Sequence, residues 1–198
     1  MHGVLRRYTL KPTDVDEVIR RIAEGGVPII KAIPGFVSYA ITDAGNGTLV
    51  TYSVYESPAA TEESTKKAAS WLKENIASMM PTPPQVIAGV IRVREFKDAP
   101  KYGVMRRYQI DPKNMEQIVD RAKSGFIPLV SHLPGFAAYS ILDAGNGTLV
   151  TLSGFTTKSG AEDSVKAAAQ FVKENLSALV PNAPEVTSGE VRVMVRSH

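Results

Sequence analysis

The sequence predicts an α+β protein built from two tandem copies of one domain. Three observations carry that expectation. The chain aligns with itself at an offset of 100 residues, each copy alternates strand-like and helix-like segments, and the strand-like segments are apolar on both faces. "DAGNGTLVT" at 43–51 recurs letter for letter at 143–151, and roughly 38 of about 98 aligned positions are identical without a gap. A period of 20–50 residues would signal a solenoid, whereas one of about 100 is the size of a whole domain. The expected domains are 1–98 and 99–198, joined near "KDAPKYG" (97–103), which is too short for a long tether.

Each copy opens on a strand, "GVLRRYTL" (3–10) or "GVMRRYQI" (103–110), rich in β-branched and aromatic residues. A helix follows. Asp14 with Glu17 and Asn114 with Gln117 have capping-box spacing, and Val15, Val18, Ile19 and Ile22 recur at helical period, as do Met115, Ile118 and Val119. Gly25 and Gly125 are expected to end these helices. "VPIIKAIPGF" then leads through two prolines to a second strand at 36–42. Asn-Gly in "AGNGT" is a hairpin signal because both residues tolerate positive φ, so a third strand runs on through 55. A phosphate-cradling loop would need a helix N-terminus at that point, and a strand follows instead.

The second helix is expected to start near Ser57 or Thr61, and in the other copy at a capping box of Ser159 with Glu162. Ser64, Ala68, Trp71, Leu72, Ile76 and Met79 trace one face, matched by Ser164, Ala168, Phe171, Val172, Leu176 and Leu179, and prolines 81 and 181 close it. Last strands fall at 85–94 and 185–194. The order β-α-β-β-α-β is the ferredoxin-like split βαβ pattern. An antiparallel sheet with one wet face should alternate apolar and polar residues, and "TLVTYSVY" and "VIAGVIRV" do not. Two ferredoxin-like domains are therefore expected to cover each other's sheets as an intramolecular α+β barrel.

Composition narrows the function classes. At 43% hydrophobic and 22% charged the chain is an ordinary globular protein. Its net charge of +3 is scattered, without a basic arm or aromatic ladder, so nucleic acid is not an expected partner. Cysteine is absent, which excludes disulfides and zinc–thiolate sites. "MHGVLRRYTL" lacks the apolar core of a signal peptide and no apolar run approaches ~20 residues. No membrane partner and a cytoplasmic location are expected.

The element order, "PGF" before the second strand (Pro34–Phe36, Pro134–Phe136), and Glu56, Ser57, Ala60, Ser64, Ala68, Ala69 and Trp71 at the opening of the second helix resemble the antibiotic-biosynthesis-monooxygenase-like group. That group lies in the dimeric α+β barrel superfamily, and the resemblance covers each copy, so the chain looks like a fused tandem dimer. It implies cofactor-independent monooxygenation of polycyclic phenols or haem degradation. Active members place Asn on the first strand, and His and Trp at the second helix. Here Arg6, Arg7 and Tyr8 (Arg106, Arg107 and Tyr108) occupy the strand and Ser64 and Ser164 the histidine position, so no catalytic residue carries over and no haem ligand stands there. Trp71, with Phe171 as counterpart, reads as core.

Of three histidines, His2 and His198 are terminal, and His132 replaces Ala32 on a connecting loop. No metal-ligand spacing or Ser–His–Asp set is legible, and neither metal nor cofactor is expected. Polar residues shared by both copies on strands are Arg6/Arg106, Tyr8/Tyr108, Tyr39/Tyr139, Thr51/Thr151, Ser53/Ser153 and Arg92/Arg192. A buried arginine needs a carboxylate or an anionic ligand, and Asp43, Asp143 and Glu190 are the available carboxylates. Because fusion lets the copies diverge, Val54 against Gly154 and Val90 against Glu190 point to a pocket in the second copy. Its candidate lining is Arg106, Tyr108, His132, Tyr139, Ser153, Gly154 and Glu190. The function expected is a monooxygenase or related enzyme acting on a small aromatic or acidic molecule, or alternatively a non-catalytic small-molecule-binding or assembly module. Beyond the internal pseudo-dimer, further homodimerisation is open.

Overall fold

The computed structural model describes residues 1–197. Its fold class is α+β, with two β-α-β-β-α-β-like halves whose strands pair antiparallel. The first half contributes β1 (His2–Thr9), α1 (Val15–Arg21), α2 (Val27–Lys31), β2 (Phe36–Asp43), β3 (Thr48–Tyr55), α3 (Pro58–Asn75) and β4 (Gln85–Phe96). The second contributes β5 (Tyr102–Gln109), α4 (Met115–Arg121), α5 (Ile127–Ser131), β6 (Phe136–Asp143), β7 (Thr148–Phe155), α6 (Lys158–Phe171) and β8 (Glu185–Arg196).

The compact units do not follow the repeat boundary. One comprises Met1–Ala88 with the segment from Gly189 onward, and the other Gly89–Ser188. Within the first, strands lie in the order β1-β3-β2-β8, and within the second β5-β7-β6-β4. At twelve residues, β4 and β8 outrun the eight-residue strands, and the boundary falls inside each of them. The strand that completes each sheet beside β2 or β6 therefore comes from the other repeat. A gapless internal alignment cannot reveal that exchange, because both copies make it identically.

Several local expectations shift. The first helix does not stop at Gly25. It continues through a π-turn, Ile22–Gly26, into α2, and the second copy does the same at Ala122–Phe126. Pro28 and Pro128 supply the cause: each lacks an N–H for the preceding turn, and a π-turn is one way to absorb the missing bond. Gly25 instead makes room for the Trp71 ring, 2.9 Å from where a Cβ would stand, and Gly125 does so for Phe171 at 2.7 Å. No side-chain cap forms at Asp14 or Asn114, because the chain enters α1 and α4 through a 3₁₀ turn that already holds these residues in helical geometry. Ser57 caps α3 by accepting from Ala60 N at 3.2 Å, but α6 is capped by Thr157, which accepts from Gly160 N, and not by Ser159. His2 lies in β1, and His198 lies outside the described residues.

The hairpin is as expected. Asn46 and Asn146 hold φ near 50°, Asp43 Oδ1 accepts from Gly45 N at 2.9 Å, and Gly47 O accepts from Leu10 N at 2.8 Å. In the first unit, alternate residues of β1, β2 and β3 face the helices and build a core of Tyr8, Tyr39, Ile41, Leu49 and Tyr55 against Val18, Ile19, Ile22, Leu72 and Ile76. The second unit repeats it with Tyr108, Tyr139, Ile141, Leu149 and Phe155 against Ile118, Val119, Phe126 and Phe171. No helix among the described residues is long and apolar enough to cross a membrane.

Candidate functional site

The period of two along β1 that aims Val4 and Tyr8 into the core must also aim Arg6 there. Arg6 is only 2% exposed and Arg106 only 1%. Arg6 donates from Nη1 to Ser53 Oγ at 3.2 Å and from Nη2 to Ser64 Oγ at 3.1 Å and Thr65 Oγ1 at 3.4 Å. Arg106 repeats the pattern with Ser153 at 3.0 Å and Ser164 at 2.8 Å, but Val165 replaces Thr65 and its Nε has no partner. Each guanidinium thus sits among hydroxyls, with no ion pair among the described residues.

The carboxylates proposed from sequence serve other arginines. Asp43 accepts from Arg192 at 3.3 Å, alongside Asp16 at 2.9 Å, and Asp143 accepts from Arg92 at 3.2 Å, alongside Glu116. Register shifts make the reason plain. Ile41 pairs with Val193 and Thr42 with Val191, leaving Arg192 as the extra residue of a bulge, and Arg92 is its counterpart between Ile91 and Val93. Such a bulge re-aims its side chain, here toward the hairpin carboxylate. Glu190 is exposed, opposite Asp43 in the first unit, so it is no part of a second-copy pocket.

A small cavity of ≈ 20 Å³ in the first unit is lined by Arg6, Tyr8, Ile22, Tyr39, Lys67, Trp71 and others of that core. Its second-unit counterpart, ≈ 30 Å³, is lined by Tyr108, Tyr139, Thr151, Phe126 and Phe171 among others, and Arg106 is not in its wall. Arg6 also reaches a larger groove of ≈ 300 Å³ formed by Thr65, Ala69, Leu72, Lys73, Ala77, Met80, residues 82–84 and Val86. No carboxylate or imidazole lines any of the three.

Burial governs the ionisation of these groups. It pushes the Tyr39 and Tyr139 phenols far above their usual range, with the neighbouring guanidinium pulling only partly back, and raises Tyr8 and Tyr108 in the same way. Loss of water pulls the Arg106 guanidinium down, opposed by Tyr108 and Tyr139. The tyrosines therefore remain hydrogen-bond donors, and the chemistry on offer is stabilisation of an anion by a guanidinium and phenols. A general base is missing from the walls, and no cluster of metal-binding side chains occurs among the described residues.

Of the residues singled out in the second copy, Arg106, Tyr108, Tyr139 and Ser153 do converge beneath α6. His132 does not join them: it is exposed at the end of α5, its Nδ1 2.6 Å from Pro128 O. Gly154 opens no pocket either. Pro100 Cβ lies 2.8 Å from where its own Cβ would stand, so the proline of the inter-repeat segment fills the space. Ser64 and Ser164 were recognised in the sequence as departures at a helix position, but their role as guanidinium acceptors was missed, as was Thr65. The alternation of β1 offered the signal, since an arginine between two core residues must find acceptors on the helix above it.

Residues 1–70 match the antibiotic biosynthesis monooxygenase family model. The likeness to solved structures extends over both repeats. A candidate monooxygenase from Fusobacterium nucleatum superposes with a TM-score of 0.79 at 9% identity, covering 99% of this chain and 94% of that one. A candidate monooxygenase from Lactobacillus acidophilus gives 0.74 at 12% identity, with 98% and 95% covered. An anthrone oxidase-like protein gives 0.68 at 15% identity, with 98% and 92% covered. At these identities the likeness shows the fold. No curated protein sequence matches the chain.

Proposed function

We propose that the protein binds a small acidic or phenolic molecule, with Arg6 in the first repeat as its recognition group. One observation carries the reading: a guanidinium 2% exposed, bonded to neutral hydroxyls alone, and forming part of two cavity walls. A buried charge of this kind is costly until an anion pairs with it, and an Arg–anion pair is among the stronger polar interactions. Tyr8 and Tyr39 add phenol donors beside it in the ≈ 20 Å³ cavity, and the ≈ 300 Å³ groove that Arg6 also lines supplies the room for the molecule.

Oxygenation of the bound molecule is a second reading, favoured by the family match over residues 1–70 and by the superposition on an anthrone oxidase-like protein. An already ionised phenol would be stabilised by Arg6 and could react with dioxygen. Conversion of a ring CH₂ to C=O would consume one O₂ and release one H₂O. With no base in the walls, the protein would contribute binding and charge stabilisation and leave deprotonation to solvent. Titration with 4-nitrophenol tests the binding reading, because its spectrum reports ionisation. The bound form should be the phenolate, with a lowered apparent pKa, and Arg6→Gln should abolish the shift. An equal shift in that variant would refute Arg6 as the recognition group. Oxygen uptake with an anthrone then separates enzyme from binding protein.

A further inference from the structure

The two repeats differ where the second long helix ends. In the first, α3 stops at Asn75, Ile76 adopts φ −138°, and a 3₁₀ turn, Ala77–Met79, follows. In the second, α6 passes into a π-turn, Val172–Leu176, and Val180 is buried at 5% where the first repeat has the half-buried Met80. The break in helical geometry at Ile76 in the first repeat accompanies the ≈ 300 Å³ groove. Its walls are Ala69, Leu72, Ala77, Met80 and Val86. Thr65 and Arg6 lie at its inner end, and Lys73 is the second cation on it. Small alanines leave space along the helix, and Met80 has the flexible side chain suited to a variable apolar guest.

We infer that this groove takes an amphiphilic carboxylate, an alkanoic or arylalkanoic acid. Its carboxylate turns inward to Arg6 and its chain lies along Ala69, Leu72, Ala77, Met80 and Val86. The inference rests on the reading of Arg6 as an anion-recognition group, and it narrows the ligand class and confines it to the first repeat. Charge complementarity selects the acid: Arg6 and Lys73 are the charged groups on this surface and both are cations. Size selects the chain. The volume equals that of about ten waters at about 30 Å³ each, close to the heavy-atom count of octanoate. The second repeat has Val165 in place of Thr65, and thus lacks the hydroxyl that holds the first guanidinium toward the groove.

Calorimetric titration of the full chain with octanoate, 1-octanol and 4-nitrophenolate is the test. Octanoate should bind at one site per chain, and octanol about ten-fold or more weaker, as loss of a charge-assisted hydrogen bond dictates. Ala69→Phe, which fills the groove from the exposed face of α3, should abolish octanoate binding. Ala169→Phe, its counterpart, should leave it unchanged. Equal affinity for octanol and octanoate, or octanoate binding unchanged in Ala69→Phe, overturns the inference. If 4-nitrophenolate binds and octanoate does not, the assignment of an alkanoic guest fails and the proposed function stands. If neither binds, both fail.

Discussion

Replacing Arg106 by methionine should stabilise the fold while removing a charge from its interior. The side chain is 1% exposed, has no ion-pair partner among the described residues, and leaves Nε without an acceptor. An unpartnered buried N–H costs about 1–3 kcal/mol, and dehydrating the charge costs several more. Against this stand two bonds to serine hydroxyls, at 3.0 and 2.8 Å, each worth about 1.5–3 kcal/mol because the donor is charged. Ser164 loses little, since its own hydroxyl still donates to Ala161 O at 2.7 Å. Methionine has similar length and removes the charge, at the cost of the donor to the buried Ser153 hydroxyl. Exchange of buried ionic groups for apolar ones is commonly neutral or stabilising by about 1–4 kcal/mol, so a gain of about 1–3 kcal/mol is expected here. At about 2–4 °C per kcal/mol for a chain of this size, Tm should rise by roughly 2–12 °C in a calorimetric scan. Arg6→Met should gain less, because Thr65 gives that guanidinium a third acceptor. A fall of several degrees in Arg106→Met, with an intact far-UV spectrum, would show that the hydroxyl cage fully compensates the charge, and would refute the argument that these arginines are held in want of an anion.

Gly154→Val, which restores the first-repeat residue, should destabilise by about 1–3 kcal/mol through overpacking against Pro100 and Ala138, and a lowered denaturation midpoint checks it. Tyr39 and Tyr139 stay protonated in the fold above the ordinary tyrosine value of 10.0, whereas in the unfolded chain they ionise there. The folded state then holds more protons, so stability should fall as pH rises past about 10. Tyrosinate absorbance should show these two phenols ionising only with unfolding. Residues 1–98 expressed alone lack the segment from Gly189 that pairs with β2, so that edge is open. Size-exclusion chromatography should show self-association or aggregation, and co-expression with 99–198 should relieve it. A stable monomeric fragment would contradict the strand exchange.

Much of the fold was legible because it depends on local rules. Asn46 and Gly47 needed no tertiary context to make a hairpin, and the apolar periods of 15–22 and 64–76 needed none to make amphipathic helices. The repeat itself made two like halves inescapable, and the alternation on β1 put Arg6 beside Val4 and Tyr8 in the core. What the sequence left open was anything set by the approach of distant segments. Gly25 looked like a helix terminus because the Trp71 ring that needs the missing Cβ lies more than forty residues away. Gly154 looked like vacant space because Pro100, which fills it, belongs to the link between repeats. Asp43 and Asp143 looked like partners for the buried arginines until bulges at Arg192 and Arg92 turned those side chains toward them. The repeat pointed to the second copy for a pocket, by counting the polar groups that copy had gained. The groove lies in the first, where helical geometry breaks at Ile76. Side-chain identity determined which groups must be buried, and only packing decided which of them were left with empty space beside them.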